Sequence, residues 1–186
     1  DIKKMASATI ENKVLKDQVN NLEKQSSDSK KVIQEKTKKA EFSEDQLRVA
    51  LKQEIGKGLA EVQREKDRVV VTVGSAGAFS SGSAKLTNQA RAIMQKIATV
   101  SGKSAGQINV SGHTDDVPLI FGGQYRDNWD LAAARASSVV QELSKSGTIP
   151  SDKLRAISFG ETKPIEQNDT RQGREKNRRI EIEIKY

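Results

Sequence analysis

Hydroxyl, imidazole and carboxylate groups crowd into one short segment of this chain, Ser111-Gly112-His113-Thr114-Asp115-Asp116. Ser111, His113 and Asp115 alternate, so they share one face of an extended segment, with successive Cα atoms about 6.5 Å apart. That spacing is a poor start for a hydrogen-bonded catalytic triad, and no Gly-x-Ser-x-Gly elbow accompanies it. A metal at His113, Asp115 and Asp116 would find a single nitrogen donor, because the chain has one histidine and no cysteine. His113 fits better as a partly buried side chain that shapes the loop. The Gly74–Gly82 stretch has the glycines of a phosphate loop but lacks the Gly-Lys-Ser/Thr ending. Asn177-Arg178-Arg179 is basic, yet no aromatics interleave with it, so nucleic acid is not an expected partner.

Arg135 is the residue out of place. Leu131, Arg135, Val139 and Leu143 form one ridge at four-residue steps, beside Ala132, Ala136 and Val140. A guanidinium in the middle of a core-facing stripe is costly unless a carboxylate meets it. Helical side chains lean toward the N-terminus, so Arg135 points to the loop that enters its helix. That loop begins with Gly112–Asp116, just past the carboxyl end of a strand, where open α/β sheets bind ligands. Asp115 and Arg135 are therefore expected to converge at the rim of a cleft. Two chemistries fit the pair. It is a structural ion pair clamping helix to strand, or it is only partly self-satisfied and receives a zwitterion, an ammonium on Asp115 and a carboxylate on the Arg135 fork.

The elements that must position these residues follow from periodicity. Val69–Val73 is a β-branched run and a buried strand. Thr87 caps a helix whose apolar face is Ala90, Ile93, Met94, Ile97 and Val100, and Gly102 stops it. Ile108–Gly112 is the next strand. Asn128 is expected to cap the Arg135 helix, which runs to about Lys145, with Gly147 and Pro150 as stops. Leu154–Phe159 is a strand ending at Gly160, a polar loop crosses 161–177, and Ile180–Ile184 alternates strictly as a half-exposed last strand. The order β-α-β-α-β-β predicts a two-layer α/β (α+β) fold with helices on one face of a mixed sheet.

Ahead of that core, Ser43-Glu44-Asp45-Gln46 has the form of a capping box, followed by the stripe Leu47, Leu51, Ile55 and Leu59, with Gly56 and Gly58 as terminators. Residues 62–69 suit a strand and turn. Residues 1–42 show no sustained heptad and contain the polar stretch Lys24–Lys31, so they are expected to be a flexible or partly helical linker. The expected divisions are 1–42, linker; 43–68, helix and strand extension; and 69–186, the domain.

Composition agrees with one domain plus an appendage. Of 186 residues, 34% are hydrophobic, 31% charged and 4% aromatic, as if part of the chain builds no core. The net charge of +7 favours anionic partners without choosing one. The absence of cysteine excludes disulfides and thiolate chemistry. No apolar run is long enough to span a membrane, and Asp1–Lys4 leads into no signal-peptide core.

Taken together, Phe79…Gly82-Ser83-Ala84…Leu86, Ser111-Gly-His-Thr-Asp115, Asn128-x-x-Leu131-x-x-x-Arg135-Ala136, Phe159-Gly-Glu161…Pro164 and Asn168…Gly173-Arg174…Asn177-Arg-Arg-Ile180 resemble the OmpA-like peptidoglycan-binding domain over about 69–186. Asp116-Val-Pro118, Asn128-Trp-Asp-Leu131 and the long loop holding Leu119–Gly123 are similar to the flagellar stator B branch of that family, of the MotB/PomB type. The resemblance implies a periplasmic, non-catalytic anchor without cofactor, binding the diaminopimelate of the peptidoglycan stem peptide. It implies a homodimer, and a stator A subunit met through a transmembrane segment upstream of these residues. It places the ligand on Asp115 and Arg135, with Thr114, Asn128 and Arg179 lining the same cleft. Leu131-Ala132 departs from the Leu-Ser frequent in the family, which removes one hydroxyl from that neighbourhood. A peptidoglycan-binding tail of an outer-membrane protein or lipoprotein is the alternative.

Overall fold

A computed structural model describes residues 2–80, 82–102, 104–121 and 123–186. Its first element is a single long helix, α1 (Ile2–Ala50). The expected helix start at Ser43 is therefore corrected: the helix runs through it. Ser43 is buried, and its hydroxyl receives a hydrogen bond from the phenol of Tyr186 at the other end of the chain. The serine serves as a clamp between α1 and the end of the last strand rather than as a cap. Residues 4–39 bury no side chain, whereas Ala40, Leu47 and Leu51 are fully buried in the main core. The expected stripe thus continues past Ala50. The chain turns at Leu51 and resumes as α2 (Lys52–Gly56), and Gly58 ends the run at a positive φ of 70°.

Five strands form one sheet: β1 (Ala60–Glu65), β2 (Arg68–Gly74), β3 (Ile108–His113), β4 (Leu154–Gly160) and β5 (Arg179–Lys185), in the order β1-β2-β5-β3-β4. β1 and β2 are a hairpin turning at Lys66-Asp67. β5 runs antiparallel to both β2 and β3, while β3 and β4 are parallel. The chain-terminal strand therefore occupies the centre of the sheet. Alternation sorts its side chains: Ile180, Ile182 and Ile184 are fully buried, and Glu181 and Glu183 lie on the opposite, half-open face.

Four further helices follow α2: α3 (Ser75–Ala78), α4 (Asn88–Ser101), α5 (Asn128–Lys145) and α6 (Arg171–Asn177). Thr87 caps α4 as expected, accepting from the Ala90 amide at 3.1 Å. The cap of α5 is Asp127, one residue before the expected Asn128, and its carboxylate accepts from the Asp130 amide at 2.8 Å. α6 lies in the stretch expected to be loop; Thr170 caps it, and no apolar stripe announces it. Among the described residues, no helix is long and apolar enough to cross a membrane.

Candidate ligand-binding cleft

The cleft forms where β3 ends and α5 begins. Its construction depends on how closely these two elements approach. A side chain on Gly112 would place its Cβ 2.2 Å from the carbonyl oxygen of Ala132, so only glycine lets the first turns of α5 lie against the end of β3. Past that contact, the Thr114 amide donates to the Gly160 carbonyl at 2.8 Å, tying the exit from β3 to the end of β4. Asp115 then turns inward and is 7% exposed.

Thr114, Asp115, Asn128 and Arg135, together with Arg174 and Arg178, line a cleft of about 290 Å³ whose apolar part is Val117, Pro118, Leu119 and Leu131. Four of the five expected site residues are thus brought together. Asn128, freed from capping by Asp127, donates from Nδ2 to the carbonyls of Asp115 (3.3 Å) and Val117 (3.1 Å) and to Glu161. It holds the loop over the helix entrance.

The expected direct pairing of Asp115 with Arg135 is not what forms. Arg178 donates to Asp115 Oδ2, and the Val117 amide donates to Oδ1 at 3.1 Å. Arg135, 7% exposed, donates from Nε to the Ser83 carbonyl at 3.0 Å, and its guanidinium carbon sits 5.0 Å from the centroid of the Phe79 ring. Among the described residues its Nη groups make no hydrogen bond. Burial lowers the Arg135 pKa from its ordinary value, and the neighbouring charge of Arg178 lowers it further while Tyr125 and Asp115 oppose. Arg135 also stands, with Arg178, in the wall of a second hollow of about 390 Å³ on the Ser75–Gly82 side. The cleft therefore holds one carboxylate already engaged by one guanidinium, and a further buried guanidinium facing the same space.

Arg179 is not part of this arrangement, which corrects its expected place. It lies on the opposite face of the sheet, 3% exposed, donating to Glu181 (2.7 Å) and to the carbonyls of Asn177 (3.2 Å) and Lys163 (3.3 Å). Arg178 is the residue the sequence reading missed. The signal was present: carrying the Ile180, Ile182, Ile184 alternation back by one step puts Arg178, not Arg179, on the helix side.

His113 shares the open face with Arg179. It is 3% exposed, stacks on Phe159 with centroids 5.2 Å apart, and has Nε2 3.7 Å from Glu181 Oε2. His113 and then Arg179 hold the Glu181 carboxyl down at about 2, against the upward push of its burial. Neither ring nitrogen has a hydrogen-bond partner among the described residues. Also among the described residues, no group of three or more His, Cys, Asp or Glu is placed to hold a metal ion.

Residues 78–178 match the OmpA family, more than half of the chain, and the chain belongs to that family. Its similarity to known proteins runs toward the MotB type. It is 29% identical to the periplasmic domain of Helicobacter pylori MotB (residues 90–256), with a TM-score of 0.60 over 68% of this chain and 78% of that one. The cell wall anchor of the T6SS from Pseudomonas aeruginosa is 31% identical, with a TM-score of 0.68 over 75% of this chain and 96% of that structure. The Bacillus subtilis protein YtxE is 35% identical over 80% of this chain, and the chain spans 63% of that relative's length.

Proposed function

We propose that this chain is a non-catalytic anchor that holds peptidoglycan by the diaminopimelate of its stem peptide, and that it is the periplasmic part of a flagellar motor stator. The observation that carries the ligand assignment is Arg135, a buried guanidinium whose Nη groups face a cleft shared with Asp115. A ligand carboxylate supplies the acceptor those groups lack, through two parallel N–H···O bonds. A ligand ammonium adds to Asp115 on the oxygen lone pairs that Arg178 and the Val117 amide leave open. Diaminopimelate presents both charges on one carbon. Thr114 and Asn128 fix the loop that carries Asp115, and Arg174 adds positive charge at the mouth.

Similarity to a MotB periplasmic domain supports the stator reading. In that setting residues 1–42 are the linker, and the exposed part of α1, residues 4–39, spans about 54 Å as a helix between a membrane-embedded segment and the wall. A stator A subunit is then the partner in the membrane, and two copies of this chain work together. The similarity to a T6SS cell wall anchor favours a second reading, in which the same domain staples another envelope structure to the wall.

Sedimentation with purified diaminopimelate-type sacculi tests the anchor. The wild type should co-sediment, and Asp115→Asn and Arg135→Ala should remain in the supernatant while still folded by circular dichroism. Normal co-sedimentation of both variants would remove the cleft as the binding site. Swimming of a strain carrying either substitution in the full-length gene separates the two readings, since only a stator anchor affects motility.

A further inference from the structure

Resting on that reading, we infer that Tyr125 is a positioning residue for ligand binding: its phenol fixes the peptide that aims Arg135, and so sets the spacing between the two charges of the site. Tyr125 lines neither hollow, so it acts without touching the ligand. Its partner is a narrow finger of chain between α3 and α4. At the base of the finger, the Thr87 amide donates to the Ala78 carbonyl at 3.0 Å and the Thr87 hydroxyl to the Gly77 carbonyl at 2.8 Å. Phe79 and Leu86 then face each other in an antiparallel bridge, and the Ser80 amide donates to the Lys85 carbonyl at 3.2 Å. The tip turns at Gly82, which has a positive φ of 63°. The Ser83 amide donates back to the Ser80 carbonyl at 3.0 Å.

This finger holds Arg135. Its Ser83 carbonyl accepts from Nε, and its Phe79 ring lies against the guanidinium. A guanidinium is planar, so fixing Nε fixes the directions of both Nη groups. Arg135 therefore aims according to where the Ser83 carbonyl stands. Pinned at its base alone, the finger would leave that carbonyl free to shift. Among the described residues, two hydrogen bonds join residues 80–85 to the rest of the chain. One comes from Arg135 itself, and the other runs from the Ala84 amide to the Tyr125 phenol oxygen at 3.1 Å. Tyr125 is thus the anchor of the tip that does not depend on Arg135. It also relates the two halves of the site. Tyr125 belongs to the loop between β3 and α5 that carries Asp115, while Gly82 of the finger lines the same cleft. The phenol ties the Asp115 loop to the Arg135 finger. A zwitterion with both charges on one carbon is matched only when carboxylate and guanidinium keep a fixed separation, and firm placement of donors is what distinguishes a two-bond grip from a loose ion pair.

Two tripeptides probe the full chain: Ala-Glu-diaminopimelate, and the same peptide with the carboxylate beside its free ammonium amidated. By calorimetry the wild type should prefer the acid about tenfold or more. Tyr125→Phe keeps the ring and removes the acceptor of the Ala84 amide. It should bind the acid about three- to tenfold more weakly and the amide as the wild type does, with a melting temperature within about 4 °C of the wild type. A second readout needs no ligand. Hydrogen exchange at the Arg135 Nε–H, followed by NMR, should quicken in Tyr125→Phe, while exchange at the Arg179 Nε–H stays as it was. If Tyr125→Phe binds both peptides as the wild type does, or leaves Arg135 exchange unchanged, the positioning role is refuted and the stem-peptide reading stands. If it weakens acid and amide equally, the phenol supports the cleft's shape in general, and the positioning role is likewise refuted. If the wild type binds acid and amide alike, or neither, the carboxylate reading of Arg135 falls and the role of Tyr125 in binding falls with it.

Discussion

Two adjacent arginines illustrate how a single residue's chemistry is set by the face on which it lies. Arg178 engages a buried carboxylate in the cleft, and Arg179 is buried on the reverse side in a ladder with Glu181. Their substitutions should therefore part company. Arg178→Ala leaves Asp115 with only the Val117 amide and should cost about 1–3 kcal/mol of stability, together with a loss of sacculus binding. Arg179→Ala should cost about 2–4 kcal/mol yet leave binding intact in protein that remains folded. Urea titrations beside co-sedimentation check both. Glu181 adds a pH signature. Its carboxyl is held at about 2, below the ordinary 4.5, so the stabilisation it provides is fully present above pH 4.5 and is lost as pH falls toward 2. Glu181→Gln should be less stable than wild type by about 2 kcal/mol at pH 7, after allowance for partial exposure. The difference should shrink below pH 4.5 and vanish as pH falls through 2, and a gap that stays constant with pH would contradict the assignment. At this scale the sequence revealed that Arg135 needed explaining and that Asp115 lay near it. It did not reveal the partner exchange, because Arg178 arrives from the junction of α6 and β5, remote in sequence from both and brought beside them only by the sheet order.

Elements were legible where periodicity was strong and illegible where tertiary contact overrode a local signal. The strands β2 to β5 and the helices α4 and α5 follow from alternation and four-residue stripes, because each presents one face to a common core. Ser43 misled because its capping-box pattern is local, whereas the clamp with Tyr186 joins opposite ends of the chain. Asn128 misled because Asp127 beside it is an equally good cap, and the structure uses Asn128 to hold the cleft loop instead. α6 escaped because a short helix without an apolar stripe carries no period to find. The long α1 divides into two parts of different consequence. Residues 4–39 bury nothing, so a chain starting at Ala40 should melt within about 2 °C of the full one and keep its sacculus binding. Leu47, fully buried, is a different matter: Leu47→Ala should cost about 2–5 kcal/mol. A large drop in melting temperature on truncation would show that the exposed helix contributes contacts this structure does not have.

At the scale of the whole molecule, a net charge of +7 invites a general polyanion as partner, and the cleft argues for something more selective. Its charges are few, largely buried and of both signs, so salt should weaken binding only moderately; a binder of nucleic acid or other polyanions loses affinity steeply as salt rises. The domain fold places the cleft at one end of the sheet and leaves residues 4–39 of α1 without a buried side chain. The central claim is that Asp115 and Arg135 receive the two charges of one zwitterion, and the most direct measurement is a calorimetric titration of the full chain with three ligands: diaminopimelate, its monoamide and lysine. Each charge-assisted hydrogen bond is worth roughly 1.5–3 kcal/mol. Diaminopimelate should therefore bind at least about tenfold more tightly than either the amide or lysine, at low and at moderate salt alike. Equal affinity for all three would contradict the paired-charge mechanism.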